Sequence, residues 1–131
     1  MENDKKTVLV IEDSPTQALS LQLLFENEGL CVLHAPEGAR GIQLAQEHLP
    51  DAIVLDVELP GMSGFDVAVT LSKHHLTGHI PIIMLTKLDD SNSLRKGMLL
   101  GAHDFIPKDI FANAILLETL RSFNILDKAP A

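Results

Sequence analysis

The sequence contains a single cysteine, Cys31, and this excludes an internal disulfide. Because Cys31 lies within an apolar run, we expect its thiol to be a small buried hydrophobe in a reducing compartment. No apolar run approaches the roughly 18–20 residues that a membrane-spanning helix needs, and residues 1–6 lack the apolar stretch of a signal peptide. These absences predict a cytoplasmic location and no contact with a membrane.

Basic residues are also scarce. Lysine and arginine total 10 against 18 aspartates and glutamates, which gives a formal net charge of −8. An acidic protein repels the phosphates of nucleic acids and of anionic lipids, so this balance argues against direct binding to either. A partner with a basic surface and a cluster of acids that binds a cation are both compatible with it, and composition leaves both open.

Five short apolar runs alternate with longer segments that have the character of helices. The 131 residues, of which 46% are apolar, suffice for one domain with a filled core. The runs are nearly continuously apolar, which is typical of strands buried on both faces of a parallel sheet. We therefore predict an α/β fold of the (βα)₅ type in a single domain over residues 1–131. Its core spans about residues 5–126, and residues 127–131 form a frayed tail or the stub of a linker. The predicted strands are 7–12, 31–35, 52–56, 82–86 and 103–106.

Capping residues indicate where the helices begin. Ser14 followed by Pro15 is typical of an N-cap and a first helical turn, and Gln17 completes a capping box. Ser63 is a second N-cap, and Asp109 is expected to cap the last helix. The apolar residues predicted to face the core are Ala18, Leu21 and Phe25 in the first helix, Ile42, Ala45 and Leu49 in the second, Val67, Ala68 and Leu71 in the third, Leu94 and Met98 in a fourth helix between residues 91 and 101, and Ile110, Ala114, Leu117 and Leu120 in the last.

Polar and charged side chains stand where four of the predicted strands end. Glu12 and Asp13 close the first strand, and Asp56 closes the third. Thr86 ends the fourth strand, and Lys108 follows the fifth. Functional groups in an open α/β sheet collect beyond the carboxyl ends of the strands. We therefore expect these five side chains to gather at one edge of the sheet.

Three carboxylates at one edge repel each other. Two unit charges about 4 Å apart cost roughly 4 kcal/mol at an effective dielectric constant near 20. The cluster must therefore take up protons, pair with Lys108, or bind a hard cation. Oxygen ligands in a small site suit Mg²⁺, which also accepts phosphate oxygens. With an incoming phosphoryl group neutralised in this way, Asp56 can act as a nucleophile and form an aspartyl phosphate.

Four motifs at this edge, taken together and in order, resemble the receiver domain of two-component response regulators. They are IEDS at residues 11–14, LDVELPGMSG at 55–64, MLT at 84–86 and GAHDFIPK at 101–108. Each motif alone is weak evidence, whereas the ordered set is specific, and the resemblance covers about residues 5–126. It implies a flavodoxin-like sheet with strand order 2-1-3-4-5. It also implies a chemotaxis-type phosphoacceptor domain that assists its own phosphorylation and dephosphorylation, and that either stands alone or belongs to a longer protein.

The resemblance implies a set of Mg²⁺ ligands. Asp56 is the phosphoacceptor, and both Asp13 and Asp56 bind the ion. Glu12 assists directly or through a water molecule, and the backbone carbonyl of Glu58 completes the ligands that the protein supplies.

The resemblance also implies how the switch works and what it contacts. Thr86 would hydrogen-bond a phosphoryl oxygen, and Lys108 would pair with the phosphate. Phe105 occupies the aromatic switch position, where the ring turns inward as Thr86 is drawn to the phosphate. The implied donor is a histidine kinase or a phosphotransfer protein. The implied target is a downstream protein or output domain that binds the surface of the fourth helix, strand 5 and the last helix.

Two departures from the family's pattern concern the loop after strand 5 and the first acid. Asp109 follows Lys108, where the family usually has a proline joined through a cis bond. A cis bond between non-proline residues costs roughly 3–4 kcal/mol, so the Lys108–Asp109 bond is predicted to be trans. Glu12 stands where the family often has aspartate, which is a tolerable exchange.

Lys87 is the third departure, because the family usually has a small residue after the strand-4 threonine. It is expected to lie beside the path by which a donor or an attacking water reaches Asp56, and so to set the kinetics of the phosphoryl group. Lys87 also leaves open the alternative that the protein is a pseudo-receiver, which keeps the fold and signals without phosphorylation.

Two further functions use related chemistry or the same fold. A phosphatase of the haloacid-dehalogenase kind also forms an aspartyl phosphate with Mg²⁺, but Glu58 stands in place of its second aspartate, and we expect no cap domain. A flavodoxin-like electron carrier needs a glycine- and hydroxyl-rich phosphate loop after strand 1. Glu12 and Asp13 would repel a flavin phosphate there.

Overall fold

Five parallel strands and four helices make up the part of the chain that the computed structural model describes, residues 5–87 and 102–127. The strands are β1 (Thr7–Ile11), β2 (Cys31–Ala35), β3 (Ala52–Asp56), β4 (Ile82–Thr86) and β5 (Asp104–Pro107). The helices are α1 (Pro15–Asn27), α2 (Gly38–His48), α3 (Gly64–Lys73) and α4 (Ala112–Ser122). The strands pair in the order β2-β1-β3-β4-β5, which confirms the predicted flavodoxin-like topology. The helix predicted between residues 91 and 101 lies outside the described residues, so α4 is the helix that the sequence places last.

The two faces of the sheet carry separate apolar clusters, because successive residues of a strand point to opposite sides. Leu9 and Ile11 of β1 pack into one cluster with residues of α2 and α3. Val8 and Val10 pack into the other cluster with residues of α1 and α4. Every residue of β3 and β4 is buried, as predicted for strands covered on both faces. Within the described ranges, no helix combines the length and apolar character needed to cross a membrane.

Helices α1 and α3 begin at the predicted serine caps. Ser14 Oγ accepts a hydrogen bond from the Gln17 backbone N–H at 3.3 Å, and Ser63 Oγ accepts one from the Asp66 N–H at 3.2 Å. The inward faces are also as predicted: Ala18, Leu21 and Phe25 are buried in α1, and Val67, Ala68 and Leu71 are buried in α3.

Cys31 is exposed, so the expectation of a buried thiol is wrong. The reason is topological. β2 lies at the edge of the sheet, and only its last residue, Ala35, is fully buried. An apolar run in the sequence predicts a strand but does not show whether the strand lies at the edge or in the centre of the sheet.

Two predicted core positions at helix ends are also wrong. Leu49 is 47% exposed because α2 ends at His48 and Leu49 adopts a left-handed conformation beyond the last turn. Ile110 is 89% exposed because the last helix begins later than predicted. The Asp109 carboxylate accepts the Phe111 N–H at 2.8 Å, which forms a turn ahead of the helix. The face of α4 that packs inward is therefore Leu116, Thr119 and Leu120, with Leu117 partly buried and Ala114 exposed.

Candidate functional site

The carboxyl ends of β1, β3, β4 and β5 bring the five predicted side chains to one edge of the sheet. The register pairs Asp56 with Leu85 and Thr86 with Pro107, so the ends of β3, β4 and β5 are level. A cavity of about 260 Å³ opens at this edge. It is lined by Glu12, Asp13, Ser14, Gln17, Asp56, Glu58, Lys87 and Lys108.

Three carboxylates meet in this cavity as the sequence predicts. Glu12, Asp13 and Asp56 each offer one oxygen, and these oxygens lie within 4.8 Å of one another. Within the described part of the chain, they form the one group of three or more such side chains that could hold a metal ion. Glu12 and Asp56 are buried, whereas Asp13 is exposed at the rim. The donor set consists of hard oxygens with an open side, which suits Mg²⁺ with retained waters.

The Lys108 ammonium lies among the acids and has three acceptors. Its Nζ is 2.8 Å from Asp56 Oδ2, 2.9 Å from Gln17 Oε1 and 3.3 Å from Glu12 Oε1. The backbone N–H of Lys108 donates to the Thr86 carbonyl at 2.7 Å, which continues the pairing of β4 with β5 beyond the strands. An ammonium has three protons to donate, and all three have a partner here.

Backbone groups fix the two buried acids. Asp56 Oδ1 accepts the Glu58 N–H at 3.0 Å, and Glu12 Oε2 accepts the Ser14 N–H at 3.2 Å. The His34 ring Nε2 donates to the Glu12 carbonyl at 2.8 Å, which ties the end of β1 to the edge strand β2. Both carboxylates are therefore held in place before any ligand arrives.

Burial, hydrogen bonds and neighbouring charges shift two pKa values at the site. Burial, and then hydrogen bonding with Asp56, raises the pKa of Glu12 from 4.5 to about 7, although the Ser14 N–H and the charge of Lys108 lower it. Burial alone would lower the pKa of Lys108, but hydrogen bonding and charge attraction from Asp56 and Glu12 outweigh burial, and the pKa is raised. Lys108 thus stays protonated, while Glu12 can take up a proton near neutral pH.

The loop after Asp56 depends on a glycine. A Cβ at Gly64 would meet the Asp56 carbonyl oxygen and lie 2.7 Å from Val57 Cα. The Gly64 N–H donates to the Val57 carbonyl at 2.9 Å. The start of α3 therefore packs directly against the backbone of the proposed phosphoacceptor, and Gly61 turns the intervening loop with a φ of 73°.

Thr86 and Phe105 lie where the resemblance places a switch. Thr86 is buried at the end of β4. Phe105 is also buried, and its ring stacks on Phe65 of α3 with centroids 6.1 Å apart. The Phe105 ring therefore points into the protein in this structure.

Lys87 lies at the mouth of the site. Its side chain is exposed and lines the cavity that holds the three acids. It also lines a second cavity of about 320 Å³ between the start of α1 and the start of α4, to which Leu21, Leu85 and Ala112 contribute an apolar floor. Lys87 thus lies between the two cavities and borders both.

One residue of the site, Gln17, is not predicted from the sequence. Gln17 was assigned to a capping box, but its side chain binds Lys108, and Ser14 N–H takes Glu12 as its acceptor instead. The bond joins residues 91 positions apart, and no local pattern reports such a contact. Within the described residues no peptide bond is cis, so the Lys108–Asp109 bond is trans as predicted.

Comparison with known proteins agrees with this geometry. A sequence model of the response regulator receiver domain matches residues 8–121. Protein PilH of Pseudomonas aeruginosa is 33% identical over 109 residues, which cover 83% of this chain and 90% of PilH. Other curated relatives are longer, and the match spans between 23% and 51% of them.

Solved structures share the fold over nearly the whole chain. The chemotaxis protein CheY4 of Vibrio cholerae superposes with a TM-score of 0.84 at 27% identity and covers 91% of this chain and 98% of CheY4. The receiver domain of a signal transduction histidine kinase from Syntrophus aciditrophicus superposes with a TM-score of 0.83 at 28% identity, over 96% of each chain.

Proposed function

This chain belongs to the response regulator receiver domain family, and we propose that it is a phosphorylation switch that accepts one phosphoryl group on Asp56 in a Mg²⁺-dependent reaction. Receiver domains of two-component systems are regulatory phosphoacceptor domains that bind Mg²⁺ in an acidic pocket. Their partners are histidine kinases or phosphotransfer proteins and output targets. The assignment of these roles to individual residues is our proposal.

The surroundings of Asp56 carry the proposal. Asp56 is only 4% exposed, yet it borders a cavity open to solvent. One oxygen accepts the Glu58 N–H and the other pairs with Lys108, which orients the group. A buried and oriented carboxylate beside a cation is a competent nucleophile for phosphorus.

The residues around Asp56 fit Mg²⁺. Glu12, Asp13 and Asp56 would hold the ion, together with the backbone carbonyl of Glu58. When bound, the ion supplies positive charge that neutralises the oxygens of the phosphoryl group. Asp13 can bind it with little rearrangement, because its carboxylate is exposed at the rim.

Phosphoryl transfer would then use groups that are already in place. A carboxylate oxygen of Asp56 bonds to phosphorus while the bond from phosphorus to the donor imidazole nitrogen breaks, and that electron pair returns to the imidazole. Lys108, next to Asp56 before the transfer, pairs with the phosphoryl oxygens after it. The Thr86 hydroxyl donates a hydrogen bond to one of those oxygens, and the same groups assist hydrolysis of the product.

We place the target on the surface of β5, α4 and the helix predicted between residues 91 and 101. Phosphorylation would draw Thr86 toward Asp56, and the Phe105 ring, which already points into the protein, would be held in that inward position. Ile110, Phe111 and Ile115 are exposed at the start of α4. Exposed apolar side chains at one place are a common feature of protein-binding surfaces, which supports a protein rather than a nucleic acid as the target. We place this signalling in the cytoplasm.

A pseudo-receiver is the second candidate, and Lys87 is the observation that favours it. Its exposed side chain lines a cavity in which Glu12 and Asp56 already have Lys108 as a partner. In that reading, charge neutralisation by lysine replaces the metal and the fold signals without phosphorylation.

Intact mass spectrometry separates the two candidates. The protein is incubated with acetyl phosphate and Mg²⁺, and a parallel sample contains EDTA. We expect the mass of one phosphoryl group in the first sample and none in the second. An equal adduct in EDTA would exclude metal dependence, and no adduct in either sample from folded protein would favour the pseudo-receiver.

A further inference from the structure

We propose that Gln17 is a positioning residue for Lys108, holding its ammonium at the site while Asp56 and Glu12 change partners. The role of Gln17 in the reaction rests on the proposed function. The contact itself rests on the structure alone, in which Lys108 Nζ donates to Gln17 Oε1 at 2.9 Å.

Gln17 differs chemically from the other two acceptors of Lys108. Asp56 and Glu12 are carboxylates of the acid cluster, and both would turn toward a bound cation. Gln17 is neutral, so it has little affinity for the ion and does not repel a phosphoryl group. It is therefore the one acceptor of the three that can keep the ammonium in the same place before and after the ion and the phosphoryl group arrive.

The local structure of α1 frees the Gln17 side chain for this contact. In a capping box it would accept the Ser14 N–H, but that N–H already donates to Glu12 Oε2 at 3.2 Å. The Gln17 backbone N–H donates to Ser14 Oγ, which fixes the residue in the first turn of the helix. The side-chain amide consequently extends over the cavity instead of folding back on the helix.

The Lys108 side chain needs an anchor because only its backbone is fixed by the loop. The backbone is fixed by the bond from Lys108 N–H to the Thr86 carbonyl, but the lysine side chain beyond it is long and flexible. Asp109 follows in place of the proline that stiffens this loop in the family. A side-chain acceptor from α1 compensates by anchoring the far end of the lysine.

Two variants of α1 test the role of Gln17. Gln17→Leu removes the acceptor, and Gln22→Leu is the matched control, because Gln22 lies on the same helix and bonds only to Glu26 in the described structure, at 3.2 Å. We expect Gln17→Leu to slow phosphorylation by acetyl phosphate roughly tenfold, the size expected for one hydrogen bond to a charged group. Gln22→Leu should react like the wild type, and both variants should melt within a few degrees of it.

A double-mutant comparison separates positioning from a general structural effect. In a Lys108→Met background, Gln17→Leu should leave the phosphorylation rate unchanged, because there is no ammonium left to position. An equal loss of rate in both backgrounds would overturn the proposal, as would a wild-type rate in Gln17→Leu itself.

The contact has its own readout without any phosphodonor. Nitrogen NMR of the Lys108 ammonium should show slow proton exchange in the wild type and Gln22→Leu, and faster exchange in Gln17→Leu. If this difference is seen but the wild type takes up no phosphoryl group, the contact is supported and the proposed function fails. If all three proteins give the same exchange rate, the positioning role is wrong even where phosphorylation occurs.

Discussion

Lys108 Nζ and Asp56 Oδ2 are 2.8 Å apart, the shortest of the three contacts that the ammonium makes. Before phosphorylation, Asp56 is therefore paired with the Lys108 ammonium. In the proposed reaction the same ammonium pairs with the phosphoryl group afterwards. The pair is largely buried, with 15% of the lysine side chain and 5% of the aspartate side chain exposed. Mg²⁺ binding must redistribute this charge, because the ion and the ammonium compete for the same carboxylates.

Mg²⁺ should stabilise the folded protein through Asp13. A ligand that binds only the folded state raises the melting temperature by mass action, so millimolar Mg²⁺ should raise Tm by several degrees. Asp13→Ala should lose most of this gain, and without the ion it should be at least as stable as the wild type because a repelling charge is gone. Glu47→Ala is the control, since it removes an exposed carboxylate of α2 far from the site. Equal Mg²⁺ responses in wild type and Asp13→Ala would show that the ion binds elsewhere.

Stability without metal should fall as pH rises through neutrality. The folded-state pKa of Glu12 is about 7 against an ordinary 4.5, chiefly because the group is buried. A raised folded-state pKa gives stability that is complete below the ordinary pKa and is lost as pH rises through the folded-state value. Metal-free protein should thus melt several degrees higher at about pH 5.5 than at about pH 8.5, with most of the change between them. Glu12→Gln should flatten this slope, and an unchanged slope in that variant would place the titrating group elsewhere.

The stacked rings of Phe105 and Phe65 should report the switch. Beryllium fluoride with Mg²⁺, which mimics the phosphoryl group, should shift NMR signals of both rings and of amides in residues 91–101, as well as those near Asp56. We expect this because we propose that Thr86 and Phe105 act as one two-state element. Shifts confined to the acid cluster would mean that the change stays at the site.

Lys87 should control how fast the phosphoryl group arrives and leaves. A long side chain at the mouth of the cavity obstructs donor and water alike, so the wild type should be phosphorylated slowly by small donors and dephosphorylated slowly. Lys87→Ala should speed both steps several-fold, and Lys87→Met, which keeps the length without the charge, should stay slow. If the methionine variant behaves like the alanine variant, charge rather than bulk is responsible.

The sequence predicted the sheet and the acid cluster well because both follow from local patterns. Strand cores are apolar runs, and Glu12, Asp13 and Asp56 stand at strand ends, which a parallel sheet brings together. The exposure of Cys31 could not be predicted in the same way. It depends on which strand lies at the edge, a property of the topology and not of the run itself.

Contacts between residues far apart in the sequence could not be predicted either. Gln17 and Lys108 lie far apart in the sequence, and the capping box gives Gln17 a complete local explanation. The start of α4 was also predicted too early, because the side chain of Asp109 closes a turn on Phe111 before the helix begins. In both cases a polar side chain formed a bond other than the one that its local sequence suggests.

Locating the modified residue tests whether Asp56 carries the phosphoryl group. After incubation with Mg²⁺ and acetyl phosphate, borohydride reduces an aspartyl phosphate to the corresponding alcohol and releases phosphate, which leaves a permanent mass change on one peptide. We predict that fragmentation places this change at residue 56 alone, and that Asp56→Asn shows neither the change nor a phosphoryl adduct. A reduced residue at any other position, or an adduct that persists in Asp56→Asn, would contradict the account.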